Sequence, residues 1–287
     1  MAQTFNSKQI HYMNNGSTTQ LELEDKVNEA FNHNIFNDNF IIASMPGLGK
    51  THTMLTHYDP DKHILIEGNS SPAEFFVKIA TAVYLAQGVH ITIILDDCDI
   101  LFSEQFANTT KKMFDGTNAL KYNKARKGLK SFCNDIQWEA INCEDFTDDM
   151  SVGFSVPLDN VTFIILSNRL LPTDNQVNAL EEGTKKHTVA TDLLAIRGRT
   201  EYGVIDMTRD DLWGYIAHII LTTDICEVVN PDITQADKEQ ICLWFWTNWR
   251  GVTERNLRLV EKLVKDMVRF PNNYLDIWDK RYTEVTN

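Results

Sequence analysis

Short apolar runs alternate with helical patterns along residues 1–207, and this alternation limits the fold to a small class. The runs have the length of strands and are rich in β-branched residues. They lie at Phe40 to Ser44, His63 to Ile66, Ile91 to Leu95, Val161 to Leu166 and Gly203 to Ile205. Strands separated by helices form βαβ units, whose strands pair in parallel. We therefore expect an α/β fold with a five-stranded parallel sheet between helices.

The helical patterns define the predicted domains. Between the strands they lie at Leu21 to Phe36, Lys50 to His57, Pro72 to Gln87, Ser103 to Phe114, Lys124 to Asp135 and Lys185 to Ile196. After Asp206 only helices are predicted, at Arg209 to Thr222, Gln235 to Trp246, Thr253 to Arg269 and Asn273 to Asp279. Thr208, Thr234 and Thr253 suit N-caps. We predict an α/β domain over residues 1–207, with residues 1–20 as an N-terminal linker, and a small all-α lid domain over residues 208–287.

Composition excludes several classes of protein. Of 287 residues, 43% are hydrophobic, and 27 basic against 40 acidic residues give a net charge of −13. This excludes wholesale disorder and argues against a surface that coats nucleic acid. No apolar run reaches the roughly 20 residues of a membrane helix, and no signal peptide is visible, which predicts no membrane contact and a cytoplasmic location. The five cysteines have no zinc-ligand spacing, so we expect incidental thiols.

A phosphate-binding loop is predicted after the first strand, in the segment Ser44-Met45-Pro46-Gly47-Leu48-Gly49-Lys50-Thr51. Glycines let backbone N–H groups converge on phosphate oxygens, Lys50 supplies a positive charge, and the Thr51 hydroxyl can ligate Mg²⁺. Ser44 replaces the first glycine of the usual pattern, but the strand–loop–helix context favours a phosphate loop over an ordinary glycine turn. The predicted nucleotide-binding residues in this segment are Pro46, Gly47, Leu48, Gly49, Lys50, Thr51 and His52.

A second motif follows the strand Ile91 to Leu95, where three of four residues are carboxylates: Asp96, Asp97 and Asp99. Crowded carboxylates repel each other, and a hydrated Mg²⁺ opposite them relieves that repulsion. We predict that Asp96 and Thr51 hold Mg²⁺, that Asp97 orients the attacking water, and that Asp99 supports the loop. A solvated turn after a core strand is the alternative.

In these motifs and their order the chain resembles the AAA+ ATPases, a family of P-loop NTPases. Asn168 follows the strand Val161 to Ser167, where the family places its sensor-1 residue on a strand between the acidic and phosphate-loop strands. Ala195-Ile196-Arg197-Gly198-Arg199 looks like the arginine-finger segment, with Arg199 as the preferred finger. The stretch from Gly251 to Arg258 is similar to the sensor-2 stretch of the lid, where Arg255 is favoured over Arg258.

The resemblance spans about residues 20 to 270 and implies ATP and Mg²⁺ as ligands. It also implies a homo-oligomeric ring, in which Arg199 reaches the γ-phosphate bound by the neighbouring subunit. Asp97 departs from the family, which usually has Glu there, and the shorter side chain predicts slow turnover. The compact acidic strand tip and short lid look most like small bacteriophage-type members, for which the location would be the host cytoplasm.

Charge is unevenly distributed after the acidic motif. The stretch from Lys111 to Lys130 holds seven basic residues against Asp115 alone, a balance of +6, whereas residues 134–160 hold seven acidic residues and no Lys or Arg. One interpretation is two solvated faces that attract each other. The other is a basic pore loop that grips a phosphate backbone, since this part of the chain lines the pore in AAA+ rings. Trp213, Trp244, Trp246 and Trp249 predict core packing rather than a base-stacking platform.

The predicted function is an oligomeric ATP-hydrolysing motor or switch acting on nucleic acid or a nucleoprotein complex. A protein-remodelling chaperone that uses the same ATPase domain is one alternative. A small-molecule P-loop kinase, which would not need an arginine from a neighbouring subunit, is the other. No Asn-Lys-x-Asp string that reads guanine occurs, which favours ATP.

Overall fold

The structure, a computed structural model, describes residues 5–32, 39–68, 70–104, 106–114, 119–147 and 152–284. It divides into two compact units. The first comprises Met1–Asp25, Met45–Lys50 and Ile205–Asn287, and the second comprises Lys26–Ser44 and Thr51–Val204. We call residues 205–287 the helical region.

The strands confirm the predicted α/β fold and its five-stranded parallel sheet. They are β1 (Phe40–Ser44), β2 (His63–Glu67), β3 (Ile91–Asp96), β4 (Ala119–Tyr122), β5 (Phe154–Pro157), β6 (Val161–Ser167) and β7 (Glu201–Ile205). The main sheet has the order β2-β3-β6-β1-β7. β1, β3 and β6 are buried along their whole length, which is why they appear as continuous apolar runs in the sequence. β6 lies between β3 and β1, as the resemblance implies.

The pair β4–β5 was not predicted. These strands form a separate antiparallel sheet in which Leu120 is paired with Val156 and Tyr122 with Phe154. Each strand has four residues, too few for a clear alternation of apolar and polar positions.

The helices agree with the prediction over most of the chain. They are α1 (Ser7–Asn32), α2 (Lys50–Leu55), α3 (Pro72–Ala86), α4 (Ala107–Met113), α5 (Asp135–Ala140), α6 (Asp174–Asn178), α7 (Lys185–Arg197), α8 (Arg209–Thr222), α9 (Gln235–Asn248), α10 (Leu257–Arg269) and α11 (Tyr274–Tyr282). Short 3-10 helices lie at Asp99–Phe102, Arg126–Phe132 and Glu144–Phe146. Thr208 and Thr234 cap α8 and α9 as predicted.

Three helix predictions were wrong. Residues 1–20, predicted as a linker, are helical from Ser7, because Asn6 and Gln9 cap the helix start through reciprocal bonds of 2.8 and 2.9 Å. In place of the α-helix predicted over Lys124 to Asp135 there is a 3-10 helix at Arg126–Phe132, and α5 begins only after the Asn134 cap. In α10 the cap is Asn256, whose side chain accepts from Leu259 N, and not Thr253.

Each unit has its own core. One surrounds the sheet in the second unit, and the other lies in the first unit, where Trp213, Trp244, Trp249 and Trp278 are buried. The tryptophans of the helical region therefore pack in its core. All five cysteines are free. Within the residues described, no helix combines the length and the apolarity that a bilayer crossing requires.

Candidate nucleotide-binding site

The predicted phosphate loop connects β1 to α2. β1 ends at Ser44, the loop runs from Met45 to Gly49, and α2 begins at Lys50. Gly47 and Gly49 have φ angles of +78° and +81°, in the left-handed region that glycine adopts without strain. The two glycines are therefore required by the loop backbone itself.

The side chain of Lys50 lies back over its own loop. It is buried, with 6% of the residue exposed, and its Nζ donates to Met45 O at 3.2 Å. Burying an ammonium group is costly unless it is hydrogen-bonded or faces an anion. The loop thus holds a positive charge next to the N–H groups of a helix start, which suits a phosphate. His52, also predicted to bind nucleotide, is exposed in α2.

A cavity of about 450 Å³ opens beside the start of the loop, within the first unit. Its lining consists of Met45, Pro46, Arg209, Leu212, Thr253, Glu254, Arg255 and Asn256. The carboxylate of Glu254 is paired with Lys262 at 2.7 Å, which leaves two arginines beside apolar side chains, a combination that fits a flat, partly apolar ring carrying an anionic group. Arg209 was not predicted from the sequence, where its only signal is its place directly after the Thr208 cap.

Arg255 is held in this wall by backbone carbonyls. Its Nε donates to Trp249 O and one terminal nitrogen to Arg250 O, both at 2.9 Å, and its guanidinium lies 5.7 Å from the Trp249 ring centre. Burial lowers the pKa of Arg255, and the positive charge of Arg209 lowers it further. Two cations that repel each other in one wall favour an anion between them. Arg258, the other sensor-2 candidate, is exposed in α10.

The predicted metal ligands Thr51 and Asp96 are in direct contact. The Thr51 hydroxyl donates to Asp96 Oδ2 at 2.5 Å, and Asp96 is buried at the end of β3. Neighbouring ligand oxygens of an octahedral Mg²⁺ lie about 3.0 Å apart, given metal–oxygen distances of about 2.1 Å. A slightly longer distance between the Thr51 and Asp96 oxygens would therefore allow both of them to ligate one Mg²⁺ ion. The residues present fit Mg²⁺.

Asp97 and Asn168, both predicted to be catalytic, also contact each other. Asn168 Nδ2 donates to Asp97 Oδ1 at 2.7 Å across the ends of the adjacent strands β3 and β6. Asp97 is exposed and has a φ of +53°, a left-handed conformation that Asp and Asn tolerate better than other side chains. The next residue, Cys98, is buried and donates through its thiol to Ile66 O at 3.5 Å. The turn thus presents the Asp97 carboxylate at the strand end.

Arg199, the predicted arginine finger, is exposed after the end of α7. One of its terminal nitrogens donates to Lys111 O at 3.3 Å, and Lys111 itself pairs with Asp192. The guanidinium therefore lies at the surface of the second unit, where a group that acts on a neighbouring subunit must lie.

The basic stretch from Lys111 to Lys130 is mostly solvent-exposed. Lys121 lies on β4, Lys124 and Lys127 are exposed, Arg126 is half-buried, and Lys130 lies 5.5 Å from the Trp138 ring. The ion pair of Lys111 is with Asp192, which lies outside the acidic stretch. Asp115, Asp148 and Asp149 lie outside the described residues.

The order of the sheet and the helices between its strands define an α/β fold with a five-stranded parallel sheet, and the helical region follows it in the chain. A solved structure of the Thermotoga maritima RuvB Holliday junction branch migration motor is similar to this chain, with a TM-score of 0.41 and 14% identity over 92% of this chain and 68% of that one. Similarity at this level carries no conclusion about activity. Neither the comparison with protein-family models nor the search of curated proteins finds a match.

Proposed function

We propose that this protein binds and hydrolyses ATP. The observation that carries the proposal is the meeting of two hydrogen-bonded pairs at neighbouring strand ends, Thr51 with Asp96 and Asn168 with Asp97. Thr51 and Asp96 suit a metal ion. Asn168 and Asp97 suit a water molecule that donates a hydrogen bond to a fixed carboxylate. Such pairs, with a phosphate loop preceding Thr51 directly in the chain, are the parts that phosphoryl transfer needs.

Each residue has a proposed role. The loop N–H groups and Lys50 bind the phosphates, and Thr51 and Asp96 hold Mg²⁺, which when bound neutralises charge on the phosphate oxygens. Asp97 accepts a hydrogen bond from the attacking water and aligns it, and Asn168 fixes the carboxylate through its amide. Arg255 and Arg209 bind the anionic part of the nucleotide, while the apolar side chains of Met45, Pro46 and Leu212 contact the base.

The direct test is ATP turnover by the purified protein, measured with and without single-stranded DNA, double-stranded DNA or an unfolded polypeptide. The mass of the protein in solution is measured with nucleotide present. Stimulation by nucleic acid supports a motor or switch on nucleic acid. Stimulation by polypeptide favours the remodelling chaperone. Transfer of the γ-phosphate to a small acceptor would identify a kinase. No turnover under any condition would contradict the proposal. A bacteriophage-type origin and a cytoplasmic location stay predictions from the sequence.

We also propose that the protein acts as a ring in which Arg199 completes the site of the neighbouring subunit. Arg199→Ala should keep ATP affinity but lose hydrolysis, because the transition-state charge is no longer stabilised. Lys50→Ala subunits should bind nucleotide only weakly but still carry Arg199, so mixing the two variants should restore part of the activity at hybrid interfaces. Turnover of the mixture against each variant alone measures this. If the mixture recovers no ATP turnover, Arg199 does not act on the site of the neighbouring subunit.

A nucleic-acid backbone is the proposed partner of the basic stretch. Changing Lys121, Lys124, Arg126 and Lys127 to Glu should lower DNA affinity and flatten its dependence on log salt by up to about 3 to 4, since each lost phosphate contact accounts for about 0.7 to 0.9. ATP affinity should stay the same. Titration of labelled single- and double-stranded DNA at two salt concentrations, beside a thermal melt, measures both effects.

The control for net charge changes four exposed lysines elsewhere, Lys8, Lys62, Lys185 and Lys265, to Glu. Their surface pairs contribute little to stability. This control should keep the salt dependence of the parent. A lower melting temperature of the basic-stretch variant with unchanged DNA affinity would instead support internal pairing with the acidic stretch, and no salt-sensitive DNA binding by the parent would favour the chaperone.

A further inference from the structure

The carbonyl groups of the phosphate loop are held by the helical region. The Tyr215 hydroxyl of α8 donates to Leu48 O at 2.5 Å, and the Leu257 N–H at the start of α10 donates to Gly47 O at 3.3 Å. All of these residues belong to the first unit. Two separate helices therefore supply donors to consecutive peptide groups of one short loop.

The contacts are close enough to fix the loop backbone. A Cβ atom on Gly47 would lie 2.3 Å from Asn256 Cβ, so the loop lies directly against the cap of α10 at this point. A Cβ atom on Gly49 would lie 3.7 Å from the Tyr215 hydroxyl oxygen. Leu48 itself is buried in the core of the helical region.

Because the peptide group is planar, a hydrogen bond that fixes the direction of a carbonyl group also fixes the direction of the following N–H group. In a trans peptide the C=O and the following N–H point in opposite directions, and the described chain has no cis peptide. Holding Gly47 O therefore directs the Leu48 N–H away from α10, and holding Leu48 O directs the Gly49 N–H away from α8. Both N–H groups lie in the segment that a phosphate would contact.

We propose that Tyr215 and the Leu257 N–H are positioning groups for the phosphate loop: by holding its carbonyls, they aim the Leu48 and Gly49 N–H groups at the phosphates of a bound nucleotide. This rests on the proposed function. Neither group touches the nucleotide. Without the two bonds the loop retains Lys50 but must order its own N–H groups when nucleotide binds.

The position of Tyr215 is itself supported by α1. A Cβ atom on Gly16 would lie 2.6 Å from Tyr215 Cα, and one on Gly214 would lie 1.9 Å from Tyr12 O. The backbones of α1 and α8 thus touch at a glycine crossing directly behind Tyr215. Burial raises the pKa of the Tyr215 hydroxyl, so it remains a protonated donor.

Tyr215→Phe tests the hydroxyl bond. We expect nucleotide affinity to fall about 3- to 10-fold, the effect of one lost hydrogen bond, while kcat changes less than about twofold because Lys50, Asp97 and Asn168 stay in place. Amide hydrogen exchange of the peptide containing residues 45–50 should become faster even without nucleotide. Tyr282→Phe is the matched control, since that hydroxyl bonds Asp266 at 2.9 Å within the same unit and should affect neither measurement.

Leu257→Pro tests the second bond. Leu257 is the first residue of α10, a position where proline is compatible with a helix, and Asn256 before it is already extended at φ −153° and ψ 168°. Proline removes the N–H, whereas Leu257→Ala keeps it and also shortens the side chain. We expect weaker nucleotide binding and faster loop exchange in the proline variant than in the alanine variant.

The outcomes separate the two proposals. If the parent binds no ATP, the proposed function fails, but the exchange rates of the loop still decide whether the helical region orders it. Parent-like exchange and affinity in both Tyr215→Phe and Leu257→Pro would overturn the positioning role. An equal loss of affinity in Tyr282→Phe would show general destabilisation instead, and would overturn it as well.

Discussion

Lys50→Ala lowers the affinity for Mg–ATP about 10- to 100-fold, which is the first of the two largest effects that we expect. Lys50 is the only basic residue of the segment from Ser44 to Thr51. In the proposed site we expect its ammonium group to make a charge-assisted hydrogen bond to phosphate, which contributes about 1.5 to 3 kcal/mol. Titration with a fluorescent ATP analogue measures the loss.

Lys238→Ala is the matched control for this prediction. Lys238 is also a buried lysine of the first unit, and it donates to Thr223 O at 3.1 Å and pairs with Glu227 at 2.7 Å. Its removal should lower the melting temperature but keep ATP affinity. Unchanged ATP affinity in Lys50→Ala would refute the assignment of the phosphate loop, whatever happens to its stability.

Asp97→Asn separates binding from chemistry and has the second large effect. Asn tolerates the left-handed backbone of Asp97, so the turn should keep its shape, and its side-chain oxygen can still accept from Asn168. The neutral amide aligns water less well than a carboxylate. We expect parent-like Mg–ATP affinity and a turnover that falls about 100- to 10,000-fold, measured by phosphate release at saturating ATP.

Asp97→Glu tests the reach of the carboxylate. Glu restores the length that the AAA+ family usually has, which favours faster turnover, but the left-handed conformation is less favourable for Glu than for Asp. Faster turnover than the parent would show that the short side chain limits hydrolysis. If both Asp97 variants hydrolyse ATP like the parent, Asp97 is not the residue that orients water.

The sheet and the strand-end residues follow directly from the sequence. Fully buried parallel strands need continuous apolar runs, and the carboxyl ends of adjacent parallel strands meet at one edge of the sheet. The resemblance to the AAA+ ATPases assigned Asp97 and Asn168, which are 71 residues apart, to one site, and the meeting of the strand ends explains why their side chains are in contact.

Other parts of the site depend on tertiary contacts that leave no local pattern. Tyr215 and Leu48 are separated by 167 residues, and nothing in the sequence around α8 distinguishes this tyrosine from a core residue. Arg209 gives no stronger signal than any arginine after a helix cap. Residues 1–20 have no apolar stripe that would predict a packed helix. The contact of α1 with α8 depends instead on Gly16 and Gly214 having no side chains.

The glycine crossing and the carbonyl bonds of the loop also make the order of the phosphate loop depend on segments that are far apart in the chain. Asn15 bonds Asp211 across 196 residues, and Tyr215 bonds Leu48 across 167. Closing contacts between such distant segments costs entropy before any contact is gained. The backbone of the loop is therefore ordered by the packing of the whole first unit and not by its local sequence alone.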